Sequence, residues 1–274
     1  MEHLPLPEKY QVKKISENQA DIIIEPFYPG FGTTIGNALR RVLLSSLSGA
    51  AVTAFKLKGA THEFSTIKGV KEDLVEIILN LKGLRFKLHG VEETRLLLKI
   101  KGEKKVKAKD IKTTAEAEVV NPEADIATIT DKDVELEMEL IIRSGRGYVP
   151  VENIEKKKFE LGTIAIDALF SPVKNVNFEV ESVRVGQMTN YDRLIMRILT
   201  DGSLSPEDSL TVASQILDDH FKFLIDFQKS SSETLSQEKK EVVAAKKEEP
   251  TPPAEEKSLD EKPKKKRGRP RKET

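Results

Sequence analysis

The sequence predicts an α+β fold in which antiparallel sheet dominates. Strand-like segments come in runs with few helices between them, an order that builds antiparallel sheets and not a doubly wound α/β fold. Within 133–143, Leu136, Met138, Leu140 and Ile142 alternate with Glu135, Glu137, Glu139 and Ile141, the period-two pattern of a half-buried antiparallel strand. The end of the chain stands apart. Ser230-Ser231-Ser232, Lys/Glu runs and Pro250, Pro252, Pro253, Pro263 and Pro270 leave too little apolar surface to offset chain entropy. Residues 229–274 are therefore expected to form a disordered tail on an ordered body.

That body opens with strands over 10–16 and 18–25, the second carrying the buried run Ile22-Ile23-Ile24. Pro26, Pro29, Gly30 and Gly32 break the chain into a turn, and Thr33 or Thr34 is placed to cap a helix. Ile35, Ala38, Leu39, Val42, Leu43 and Leu47 follow at helical spacing, and Gly49 is expected to end the helix. A strand over 51–58 follows. A second amphipathic helix, over 71–81, puts Leu74, Ile77, Ile78 and Leu81 on one face and stops at Gly83. Strands are expected over 85–88, 94–100, 104–107, 116–121, 133–143 and 178–187, with a short helix over 190–200 ended by Gly202. Ser205-Pro206-Glu207-Asp208 announces the last helix, to about Phe227, with a cap, a proline at the first helical position and acids in the first turn.

Composition narrows the function classes. A chain of 274 residues holds one or two domains of the usual ~100–150 residues. The absence of cysteine excludes disulfides and thiolate metal sites and fits a reducing cytosol. No segment approaches the ~18–20 apolar residues of a membrane span, and residues 1–9 lack the apolar core of a signal peptide. A soluble intracellular protein is expected. Formal net charge is +0, yet 229–274 carries 14 Lys/Arg against 10 Asp/Glu, with the basic excess in the last dozen residues.

Two helices carry more apolar face than one domain needs. On the first, Ile35, Ala38, Leu39, Val42 and Leu43 span an arc of about 140°, enough for one core. Asn37, Arg41, Leu44 and Ser48 fall on the opposite side, where Leu44 beside Arg41 is either a lone exposed leucine or part of a partner contact. On the last helix, one stripe holds Leu210, Ala213, Leu217, Phe221 and Leu224, and an adjoining one Val212, Ile216, Phe223 and Phe227. The combined arc exceeds about 200°, twice what a surface helix buries against its own domain. Deep burial is the alternative, but a helix at the end of the ordered chain is poorly placed to be wrapped on all sides, so a symmetric homodimer is the better reading.

Catalytic constellations are absent from the pattern. His62-Glu63 begins like a zinc-protease motif but position 66 is Thr, and His3, His89 and His220 are scattered. Asp131-Lys132-Asp133 and Asp218-Asp219 read as solvated acids, since two-metal chemistry needs several convergent carboxylates. Gly30-Phe31-Gly32 with Gly36 lacks the Lys-Ser/Thr ending of a phosphate loop. Gly145-Arg146-Gly147-Tyr148 reads as a glycine-flanked basic turn suited to macromolecular contact. No catalytic residue, metal, cofactor or small-molecule substrate is expected.

The run Glu25-Pro26 through Gly30-Phe31-Gly32-Thr33-Thr34-Ile35-Gly36-Asn37-Ala38-Leu39-Arg40-Arg41-Val42-Leu43-Leu44-Ser45-Ser46 resembles the signature of bacterial DNA-directed RNA polymerase alpha subunits. The likeness continues through His62-Glu63-Phe64-Ser65-Thr66, Gly69-Val70, Glu72-Asp73, Leu79-Asn80-Leu81-Lys82, Gly145–Pro150, Phe170-Ser171-Pro172-Val173, Arg184-Val185-Gly186-Gln187 and Leu199-Thr200-Asp201-Gly202, covering about residues 1–228. It implies a dimerisation subdomain from 1–50 and 177–228, and a β-rich insert from 51–176. It implies a non-catalytic homodimer, part of a nucleotidyltransferase complex, that nucleates the polymerase core by binding the beta subunit through one protomer and beta-prime through the other. Position by position, Arg41 matches the arginine that docks beta, with Asn37 and Leu44 beside it. His62, Ser65, Thr66, Lys68 and Gly69 match a loop that also faces beta. Arg143, Gly145, Arg146, Gly147 and Tyr148 match a contact region of the insert, and Arg184 a beta-prime contact. Ile35, Leu39, Leu43, Leu210, Leu217, Phe221 and Leu224 become the dimer contacts.

The family usually carries a further helical domain that binds A·T-rich promoter DNA and activators, whereas 229–274 is too short and too polar for one, which puts those functions in doubt here. Lys264-Lys265-Lys266-Arg267-Gly268-Arg269-Pro270-Arg271-Lys272 resembles an AT-hook. Gly268 lets the backbone approach the groove floor, Pro270 favours an extended path, and Arg267 and Arg269 suit a narrow A·T minor groove. A nonspecific basic tail is the alternative. A free-standing architectural protein that binds DNA through this tail is the competing function.

Overall fold

A computed structural model describes residues 4–60, 62–155, 160 and 162–245, with side chains of the last helix described through residue 226. The chain runs β1 (Lys9–Ser16), β2 (Gln19–Phe27), α1 (Phe31–Ser45), β3 (Ser48–Leu57), α2 (Leu74–Gly83), β4 (Phe86–Leu88), β5 (Glu93–Lys101), β6 (Lys104–Lys107), β7 (Ala117–Val119), β8 (Asp125–Ile129) and β9 (Glu135–Arg146). It continues through β10 (Tyr148–Val149), α3 (Val151–Glu155), β11 (Thr163–Ala165) and β12 (Ala168–Leu169) to β13 (Val173–Val185), β14 (Met188–Thr200) and α4 (Pro206–Ala245). Residues 1–221 make one compact unit, and 222–274 a second that holds the remainder of α4. The expected α+β class is what is found: antiparallel sheets with a few helices.

Among the described residues of the first unit there are two larger bodies of sheet, each with its own core, and a smaller third core of Ala51, Ile154, Ala165, Ala168 and Phe170. In one, the ends of the chain meet in a four-stranded antiparallel sheet of order β1-β2-β14-β13. Its inner face presents Ile22, Val176, Leu194, Met196 and Ile198 to Leu39 and Leu43 from α1, to Leu47 just after that helix and to Ala213 of α4. Glycines let α1 sit close. A Cβ built on Gly36 would lie 2.7 Å from the Phe178 ring and 2.8 Å from Leu194, and one on Gly32 would lie 3.0 Å from Val180. Glycine inside a helix costs roughly 1 kcal/mol of propensity, which the close helix–sheet packing offsets.

The other body comprises the sheet β5-β9-β3-β4-β7, with β11 added on β3, and α2 packed over it. Phe55, Ile77, Leu81, Phe86, Leu96 and Leu140 fill its core. The alternation along β9 holds, with Leu136, Met138, Leu140 and Ile142 buried. The glutamates between them meet Lys58, Arg95 and Lys99 on the outer face. These exposed pairs contribute little each, but they set which face looks outward.

Several boundaries differ from the sequence expectation. Residues 190–200 are not a helix; they belong to β14, a central strand whose inner side is buried and whose outer side keeps Ile195 and Leu199. Apolar residues on both faces erase the period-two pattern that would have marked it. Neither Thr33 nor Thr34 caps α1. The helix starts at Phe31 after Gly30, whose φ of 85° is left-handed, and the capping acceptor comes from Asp192. Gly49 does not end α1 either: the helix stops at Ser45, and Gly49 lies in β3. Asp73 caps α2 by accepting from the Glu76 N–H at 2.7 Å. Ser205 caps α4 as expected, accepting from the Asp208 N–H at 3.1 Å, and α4 runs past Phe227 to Ala245. Residues 246–274, which include most of the expected tail and Arg267, Gly268, Arg269 and Pro270, lie outside the described residues.

Candidate protein-docking surface

The buried side of α1 is fixed by the sheet beneath it. The residues left over, Asn37, Arg40, Arg41, Leu44 and Ser45, are exposed. Leu44 is 38% exposed, and among the described residues neither Arg40 nor Arg41 finds an ion-pair or hydrogen-bond partner for its guanidinium. An apolar side chain flanked by two free guanidinium groups is well suited to another protein: Arg supplies planar, charge-assisted donors, and Leu the apolar anchor.

The α1 N-terminus is held by a residue 160 positions away. Asp192, on β14, accepts the Gly30 N–H at 2.9 Å and the Gly32 N–H at 3.1 Å through one carboxylate oxygen. No acid lies in the first turn of α1 itself, so Asp192 also supplies the negative charge that the helix dipole favours there. Nothing local in the sequence signals this contact.

At the other end of α1, the helix meets the Gly145–Tyr148 segment. Gly145 and Arg146 are strand residues at the end of β9, not a turn; only Gly147, with φ of 62°, turns the chain into Tyr148 of β10. Gly49 and Gly145 pair across β3 and β9, and Phe170 covers both, its ring 2.7 Å from where a Gly145 Cβ would be. Ser171 Oγ donates to the Leu44 carbonyl at 3.4 Å. Tyr148 Oη donates to Asp167 at 3.2 Å, and Asp167 pairs with Lys82. Partial burial opposes ionisation of Asp167, yet Lys82 holds its carboxyl below the ordinary range, while burial and the Asp167 carboxylate raise the Tyr148 phenol. Arg146 and Tyr148 are exposed and flank Gly147, which lies near the Ser45 carbonyl at the end of α1, an adjacency the sequence did not indicate. Arg143 sits apart from them. It is engaged by Glu93 at 2.6 Å, only 16% exposed, so its charge is already matched within the chain.

The 62–69 loop rests on different supports. Ser65 Oγ donates to the His62 carbonyl at 2.6 Å, closing a local turn, and the Gly69 carbonyl accepts from the Thr130 N–H at 2.9 Å. Gly69 has φ of 76° and lies against Val134. His62, Thr66 and Lys68 are exposed, as is Phe64 at 75%, an aromatic that reading the loop for polar contacts passed over. No hydrogen bond or ion pair joins this loop to α1 among the described residues. Arg184 is at the β13–β14 turn, exposed, with its Nε donating to the Gly186 carbonyl at 2.8 Å.

The expected dimer contacts divide into two groups. Leu39 and Leu43 are 5% and 0% exposed and belong to this chain's own core, and Ile35, Leu210 and Leu217 pack against it half-buried. Leu39 and Leu43 are thus used within the chain, while Ile35, Leu210 and Leu217 keep part of their surface exposed. Phe221 and Leu224, by contrast, are 56% and 65% exposed, with Phe223 and Ile225 beside them at 71% and 66%. Among the described residues no cluster of His, Cys, Asp or Glu is placed to hold a metal, and no helix is long and apolar enough to cross a membrane.

Comparisons with known proteins bear on the same residues. The family model for the RNA polymerase Rpb3/RpoA insert domain matches residues 54–171, the body built on the β3–β9 sheet. The chain is similar to the DNA-directed RNA polymerase subunit alpha of Geobacter metallireducens, 48% identical over 227 residues, which cover 82% of this chain and 66% of that one. It is likewise 48% identical over 202 residues to the subunit alpha of Alkaliphilus oremlandii, covering 74% and 63% of the two chains. With that of Carboxydothermus hydrogenoformans it shares 44% identity over 224 residues, covering 82% and 71%. The chain thus spans just under two thirds of the length of the first two curated relatives.

Proposed function

Because this chain belongs to the family of DNA-directed RNA polymerase alpha subunits, we propose that it works as a non-catalytic assembly subunit of that polymerase: a homodimer that brings the beta and beta-prime subunits together. The observation that carries this reading is the outer face of α1, where Asn37, Arg41 and Leu44 stand exposed and Arg41 has no partner among the described residues. A helix whose every buried position is committed to one sheet has reason to keep such a face only for something outside the chain. In this reading that face and the 62–69 loop both take beta; Arg146 and Tyr148 extend the contact, and Arg184 faces beta-prime. The β1-β2-β14-β13 body with α1 and α4 is the dimerisation subdomain, and the body spanning 51–176 is the insert. Self-association runs through the exposed Phe221–Leu224 stretch, while Leu39 and Leu43 belong to the subdomain's own core.

Reconstitution of the full chain with beta and beta-prime tests this. Parent chain is expected to recover both subunits, and Arg41→Ala to lose beta while remaining folded and dimeric. Undiminished beta recovery by Arg41→Ala would overturn the assignment of the face. The basic end, with Arg267, Gly268, Arg269 and Pro270, is proposed to tether the assembly to A·T-rich DNA. Removal of 262–274 should then lower binding to A·T-rich relative to G·C-rich duplex at matched salt.

A further inference from the structure

We propose that the ion pair between Arg85 and Asp201 is a lock that fixes the angle between the insert and the sheet–helix body, and so aligns the two parts of the beta-docking surface; this rests on the assignment of that surface given above. The chain crosses between the two bodies twice, from α1 into β3 and from β12 into β13. The crossings lie side by side: the Ser171 hydroxyl reaches the Leu44 carbonyl, and Phe170 lies over Gly49. Two adjacent crossings behave as a hinge, leaving one easy rotation. What opposes that rotation must be a contact away from the two crossings.

Arg85 and Asp201 supply it. Arg85 lies just before β4 in the insert, Asp201 just after β14 in the body, and their charged groups are 3.3 Å apart with side chains 16% and 5% exposed. Each is held rigidly on its own side. The Arg85 Nη1 donates to the Lys82 and Leu84 carbonyls at 2.8 and 3.0 Å, capping the C-terminal end of α2, and its backbone N–H donates to Asn121 Oδ1 at 2.9 Å. The other oxygen of Asp201 accepts from the Ser203 N–H at 2.9 Å and the Ser203 hydroxyl at 2.6 Å. Next to the pair, Gly202 adopts φ of 98° and lies against Val120 of the insert. A rigid cation meeting a rigid, nearly buried anion resists displacement, because separating them leaves a charge unpaired in a poorly solvated place. The docking residues divide across this joint: Asn37, Arg41 and Leu44 ride on the body, and His62, Thr66 and Lys68 on the insert.

The test uses full-length chain with the beta subunit. Since the chain has no cysteine, Asn177→Cys on β13 and Lys101→Cys on β5, both at exposed positions, accept spin labels that report the distance between the bodies. Arg85→Met keeps the apolar stem but gives up the bonds to the Lys82 and Leu84 carbonyls, whereas Asp201→Asn keeps an acceptor for Ser203 and changes the pair alone. Each is expected to broaden the distance distribution and weaken beta binding about tenfold, in the range of coupled contacts. The double variant should be no worse than either single one, and the swap Arg85→Asp with Asp201→Arg should recover part of both losses. A distribution as narrow as the parent's in both single variants would overturn the lock, as would broadening with beta binding unchanged. If parent chain does not bind beta, the functional reading fails by itself, and the distance measurement alone decides the lock.

Discussion

Replacing Asp192 with alanine removes the carboxylate that accepts the N–H groups of Gly30 and Gly32 at 2.9 and 3.1 Å. Those donors belong to the start of α1, which has neither a side-chain cap of its own nor an acid in its first turn. Loss of an N-terminal cap costs about 1 kcal/mol, within a range of roughly 0.5–2. Loss of a negative charge at the positive end of the helix adds about 0.3–1 kcal/mol. Gly30 is exposed, so water replaces part of the bonding there, whereas Gly32 is buried and lies against the sheet. The sum is about 1–2 kcal/mol, or roughly 3–6 °C in Tm for a unit of this size. An Asp192→Asn variant keeps an acceptor but not the charge, and should lose about half as much. Urea unfolding followed by circular dichroism, at one fixed protomer concentration, measures the difference. Alanine and asparagine variants both within about 0.3 kcal/mol of the parent would refute the assignment of Asp192 as the cap.

Gly49→Ala should be far more damaging, because its Cβ would come within 1.9 Å of the Phe170 carbonyl oxygen, which is backbone; a loss of about 3 kcal/mol or an insoluble chain is expected. Gly83→Ala is the counterpart: with nothing within 4 Å of its Cβ, it should stabilise by about 0.4–1 kcal/mol in the same unfolding assay. Hydrogen bonds and charge from Lys107 and Lys109 hold the exposed Glu123 carboxyl down at about 2. Its folded value lies below the ordinary carboxylate value of about 4.3, so what stability it adds is present above that pH and lost as pH falls towards 2. Carboxylate NMR should give that low midpoint in low salt, and Lys107→Ala should raise it; an unmoved midpoint would sever the link. Phe221→Glu with Leu224→Glu should convert dimer to monomer in sedimentation while far-UV circular dichroism is unchanged.

How much of this was legible in the sequence varied with how local its cause is. The α1 periodicity and the Ser205–Asp208 start of α4 were readable because spacing and capping act within a few residues. The outer face of α1 was readable as an odd pairing of Leu44 with Arg41. Strand β14 was not, since Ile195 and Leu199 on its second face make an apolar run that no single period describes. The two-residue strands β10 and β12 are too short to carry a pattern. The Asp192 cap, the Arg85–Asp201 pair and the placement of Phe170 over Gly49 depend on residues far apart in the chain, which only the folded topology brings together.

The bare seat of α1 has a mechanical consequence. Most helices ride on their sheet through long side chains that act as springs, absorbing small displacements by changing rotamer. At Gly32 and Gly36 there is no spring: helix backbone rests directly on Val180, Phe178 and Leu194. A push on the far side of the helix at these two positions therefore falls directly on the β13 and β14 side chains beneath it, and only their rotamers are left to yield.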